Sequence, residues 1–141
     1  MAAITYGSFP LRLAKGDIDL DTATVKVALT TSSYVPDVDT HDYFDDVTNE
    51  ITGTGYTAGG ATLASVTATY DTANNRVKID AADPSWTGAT FTCRKAVFYV
   101  STGVAGTSPL ISCHEFTVDQ TVTANTFTLL INADGIVTLG V

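Results

Sequence analysis

Five aspartates, Asp37, Asp39, Asp42, Asp45 and Asp46, fall within ten residues, and crowded carboxylate oxygens are what a Ca²⁺ ion takes up. Counted from Asp37 as the first ligand of an EF-hand loop, His41 stands at the third ligand, Asp42 at the turn glycine and Thr48 at the bidentate glutamate. The spacing reads as a solvated acidic loop with helix-capping groups. Asp17, Asp19 and Asp21 make a thinner cluster with the same reading. If the Asp37–Asp46 segment did hold Ca²⁺, the chain would be a Ca-dependent carbohydrate-binding adhesin, which is one alternative function.

For nucleophilic chemistry the chain offers two imidazoles, His41 and His114, without a Gly-x-Ser-x-Gly elbow. Cys113 precedes His114 in an alternating pattern, and neighbours in a strand point to opposite faces, so the two cannot form a dyad. His114 reads as structural. The glycine-rich stretch Val47–Thr62 holds four of the eleven glycines, at 53, 55, 59 and 60. It lacks the lysine of a phosphate loop and does not open a helix, so it reads as a shaped loop. Trp86, Tyr56 and Tyr34 could stack on a sugar ring, although aromatics in turns more often close a core. No catalytic, cofactor-binding or metal-ligating residue is assigned, no cofactor is expected, and the chain reads as non-enzymatic.

The elements that must carry these groups are mostly strands. Residues 24–31 alternate with Val25, Val27 and Leu29 on one face. Residues 62–80 predict a β-hairpin turning at 71–75, with Ala64, Val66, Ala68 and Tyr70 as its buried face. Residues 89–101 alternate at first and are then apolar on both sides, the mark of a strand entering a sandwich or an interface. Further strands are expected at 110–116, 127–132 and 136–139. Two short helices are predicted, at 8–15 with Ser8 as cap and Gly16 as stop, and at 40–47 with Thr40 as cap. The fold class is all-β, an antiparallel β-sandwich or jelly-roll-like body with one or two short helices. Residues 1–7 are read as an N-terminal arm and 8–141 as a single β-rich domain.

Fifteen acidic against seven scattered basic residues give a net charge of −8, which argues against nucleic acid and against an anionic membrane surface as partners. The N-terminus lacks the positive region of a signal peptide, and no apolar run approaches the ~18 residues of a span, so folding in a cytoplasm is expected. In that reducing setting Cys93 and Cys113 are expected to be free, buried thiols. The charged share is 16%, below the roughly 25% of ordinary domains, so part of the surface is expected to be covered by copies of the chain. Ala96–Val100 and Ile136–Leu139 are candidate subunit contacts.

Lys15–Thr22 with Val25–Leu29, Asp42–Glu50 with Gly53–Gly60, and Phe127–Leu139 around Ala133-Asp-Gly resemble a family of small structural proteins of tailed bacteriophages. The likeness covers most of the chain. It implies a virion component assembled in the host cytoplasm, most plausibly a capsid decoration or cement protein stabilising the shell, with a tail or baseplate-associated subunit as alternative. Partners would be the major capsid protein and the chain itself, as a homotrimer on local three-fold positions.

Overall fold

The computed structural model describes residues 2–141. Eight strands among the described residues form two antiparallel sheets in a sandwich-like, all-β arrangement. The larger sheet has the order β1 (Ala2–Thr5), β7 (Leu110–Thr128), β6 (Ser85–Val100), β2 (Val25–Thr30), β3 (Ala61–Thr62). The smaller has the order β4 (Thr67–Asp71), β5 (Arg76–Asp80), β8 (Val137–Gly140). Of the predicted 62–80 hairpin, residues 67–80 are present as β4 and β5, with Thr67 opposite Asp80 and Asp71 opposite Arg76, while Thr62 belongs to β3 and pairs with Lys26 of β2.

Residues 2–7 are not an arm. Ala2–Thr5 pair with Ser112–Glu115 as an edge strand, and Tyr6 is fully buried, so backbone pairing with a strand more than a hundred residues away fixes the segment. Met1 lies outside the described residues. The helix α1 (Ser8–Lys15) ends on Gly16 in the left-handed region, φ 79°, as predicted. Its N-cap is Gly7 and not Ser8, whose hydroxyl is buried without a partner.

The expected helix over 40–47 is reduced to a 3-10 turn at Phe44–Asp46. Asp46 folds back to accept the Asp42 and Tyr43 N–H groups at 2.8 and 3.2 Å, which satisfies the chain locally and leaves nothing for a longer helix to gain. The strands expected at 110–116 and 127–132 are one strand in its first part, since β7 runs unbroken to Thr128 before the chain turns irregular.

Each face of the larger sheet carries a core. Phe9 of α1, Val27 and Leu29 of β2, Phe91 and Phe98 of β6, Ile79 of β5 and Val137 of β8 pack on one side. Tyr6, Ala28, Tyr34, Val97, Tyr99, Leu110 and Cys113 pack on the other, under Phe44 and Val47. Fully burying a side chain such as Phe98 contributes roughly 1.5–3 kcal/mol. Along β6 the first core takes Ala89, Phe91 and Cys93, then Ala96, Phe98 and Val100, so the inward phase changes from odd to even. The register shift between Cys93 and Lys95 is the cause.

This arrangement accounts for the doubly apolar Ala96–Val100: both of its faces are buried within one chain. Ile136 and Val137 are likewise core residues. Ala96–Val100, Ile136 and Val137 are therefore not free to serve as the subunit contacts expected of them, while Thr138 and Leu139 are half-buried. The reverse holds for the face predicted to be buried around β4: Ala64, Ala68 and Tyr70 are exposed and Val66 is half-buried, because β4 is an outermost strand of the smaller sheet and overhangs the core.

Candidate functional site

The acidic segment spends its carboxylates on its own backbone. Asp37 Oδ1 accepts the N–H groups of Asp39 and Thr40 at 2.9 and 3.1 Å, and these donors hold the Asp37 carboxyl below its usual range. Among the described residues no three His, Cys, Asp or Glu side chains gather closely enough to hold a metal ion. Asp39 and Asp42 instead border an open cleft of about 330 Å³ against α1, opposite Arg12 and Lys15. The Arg12 guanidinium lies over the Tyr43 ring, 4.4 Å from its centre, a contact that pins the loop to the helix.

Both histidines are held in structural roles. His41 Nδ1 accepts the Asp37 N–H at 3.3 Å and lies 3.1 Å from the Tyr34 hydroxyl, which in turn meets the Tyr6 hydroxyl at 2.8 Å. Burial pushes the Tyr34 phenol up to about 12. His114 is buried, with Nε2 2.9 Å from the Ile136 carbonyl and its ring against Phe98. Burial lowers its pKa, so at neutral pH the ring is uncharged and Nε2–H donates to that carbonyl. Cys113 faces the opposite core, so the adjacent pair forms no dyad.

The three aromatics considered as a sugar platform are split between the two faces. Tyr56 and Trp86 stack at 6.3 Å, with Phe91 and Phe127 edge-on or tilted against them, closing the first core. Tyr34 belongs to the second. Cys93 and Cys113 are free and buried, again on opposite sides.

The glycine-rich loop has a mechanical purpose. A Cβ on Gly60 would collide with the Val27 carbonyl, and one on Gly53 with that of Thr90, so bare backbone is required where the loop lies along β2 and β6. Thr90 N–H donates to Thr54 O at 2.9 Å, closing the free edge of β6. Glu50 clamps the loop from inside, accepting the Tyr56 hydroxyl at 2.7 Å and the Gly59 N–H at 2.6 Å.

No protein-family model, curated protein or solved structure matches the chain. One cleft of about 310 Å³ is bordered by Lys26, Glu50, Gly59 and the stacked Phe44 and Tyr99 rings, 4.1 Å apart. Sequence reasoning did not single out Lys26, Glu50 or Tyr99; only Glu50, beside the glycines, carried a local signal. Lys26 makes no ion pair among the described residues. Ser101 and Ser108 also line it, and among the described residues neither is hydrogen-bonded to Lys26 or Glu50. Among the strands, β4 and the distal half of β7, Thr117–Thr128, are largely exposed and rich in threonine.

Proposed function

We propose that this chain is a non-enzymatic structural component of a tailed-bacteriophage particle, of the decoration or cement kind, held to the major capsid protein and to copies of itself. The observation that carries this reading is the division of labour among polar groups. Buried His114 and Lys95 and half-buried Glu50 are bonded to the chain's own backbone, while the Ser8 hydroxyl, Arg12 Nε and the Thr30 hydroxyl are buried without a partner. The exposed strands β4 and distal β7 carry charge only at Asp71 and Asp119, each met by an arginine, Arg76 and Arg94. Such a body offers other proteins neutral, β-forming surface.

The resemblance of Lys15–Thr22, Asp42–Glu50 and Gly53–Gly60 to small phage virion proteins supports the same setting. Local three-fold positions of a capsid make a homotrimer the proposed stoichiometry on the shell. Its contacts would have to lie outside Ala96–Val100 and Ile136–Val137, which the core occupies.

The test is a density map of the particle together with co-sedimentation of purified protein with empty shells. Density for this fold on the outer shell and saturable binding are expected. Density at the tail or baseplate, or no binding, overturns the decoration role.

A further inference from the structure

We propose that β4 is a self-pairing edge through which two copies of this chain join their three-stranded sheets into one six-stranded antiparallel sheet. The inference rests on the proposed function only for the presence of several copies on one support; the contact is two-fold and so distinct from the three-fold contacts of the proposed homotrimer. The edges of the longer strands β2, β6 and β7 are managed, whereas among the described residues the short outer edges of β1, β8 and β4 are not, and β4 is the longest of these three. The loop at Gly53–Gly55 covers β6, and β3 with the Thr30–Glu50 bridge covers β2. Distal β7 is broken by register irregularities at both ends of its Gln120–Val122 run, and Arg94 Nε bonds its Phe116 carbonyl at 2.8 Å. Bulges and side-chain cover are the usual defences of a free edge.

The strand β4 has none of them. It pairs residue for residue with β5 and shows no bulge. Its sequence, Thr-Ala-Thr-Tyr-Asp, holds no lysine or proline, and no backbone group of another segment bonds it among the described residues. An independent sign comes from its alternation. Ala68 and Tyr70 lie on the face that continues through Ile79 and Val77 to Val137 and Leu139. That apolar face is buried at Ile79 and Val137 and runs out to Tyr70, which is 56% exposed. The pattern is that of a strand with a neighbour on its other side.

Charge fits a second copy as that neighbour. At −8 per chain, copies repel unless they meet through neutral surface. An antiparallel pairing centred on Thr69 sets Ala68 opposite the partner's Tyr70 and Asp71 opposite the partner's Thr67. Asp71 is already neutralised by Arg76 at 3.0 Å, so no like charges oppose. An edge that pairs with itself about a two-fold axis always closes. Five residues bury less than the ~1,200 Å² of a stable interface, so the pairing is weak in dilute solution and strengthens where copies are held together on one support.

The test is a Thr69→Cys chain under mild oxidation at high micromolar concentration, with Thr121→Cys on β7 as control; the native thiols are buried. A covalent dimer is expected for the first and not the second. In sedimentation, Thr69→Asp and Thr69→Lys should each weaken association about tenfold, and mixing the two should restore it. A Thr69→Cys chain that crosslinks no better than the control, or association indifferent to both charges, overturns the pairing. If such a chain still co-sediments with shells, the particle reading survives and only the edge pairing falls.

Discussion

The buried imidazole of His114 ties stability to pH near neutrality. Burial disfavours the charged form of His114 and holds its pKa below the ordinary 6.5. The unfolded chain therefore takes up the proton first, and stability present above about pH 6.5 is lost as pH falls through that value towards the folded one. Thermal melts should show the midpoint dropping between pH 7 and pH 5, and His114→Gln should flatten the drop. The thiols behave analogously with opposite charge: burial pushes both Cys93 and Cys113 up to about 12. Native protein at pH 8 should resist a thiol reagent, while unfolding without reductant should release two thiols per chain; fewer would reveal a disulfide.

At the scale of elements, loops decide more than strands. The loop at 53–60 reaches its place because Gly60, at φ 76°, passes against Val27 with no room for a methyl group. Gly60→Ala should cost at least about 2 kcal/mol in chemical denaturation, from strain and from separation of β3 from β2. Gly103→Ala, with open space around it, should cost only about 1 kcal/mol, for its positive φ alone. In the acidic loop, Asp46 caps two N–H groups, so Asp46→Ala should cost about 1 kcal/mol. Asp39→Ala, whose carboxylate holds no such bond, should be nearly neutral. A chelator should leave the melting temperature unchanged; a drop of many degrees would show that the loop does bind metal.

Over the whole molecule, charge and sheet edges act against each other. A chain at −8 with a pI near 4.3 repels its copies, and the proposed contact at β4 gains little from ion pairs. Raising salt from about 10 to 150 mM screens the repulsion, so self-association measured by sedimentation should strengthen. Weakening over that range would mean that intermolecular salt bridges hold the copies and that the neutral edge is not the contact.

Local pattern was enough to determine the elements whose residues alternate or stop cleanly. Val25–Leu29, the hairpin at Asp71–Arg76, the helix ending at Gly16 and the all-β class all follow from side-chain period and turn chemistry, which act over a few residues. At the candidate sites the sequence showed spacing alone, and Asp37, Asp46 and His114 do not have that of known ligand or catalytic motifs. What a strand buries, however, depends on what lies above it. Ala96–Val100 looked like a surface for another chain and is enclosed by two cores of its own, while Ala68 and Tyr70 looked enclosed and hang beyond the core. The residues of β4 alternate just as a buried strand does; only its outermost place in the sheet order β4-β5-β8 leaves that apolar face without cover. Sheet order is set by contacts far apart in sequence, and no local period encodes it.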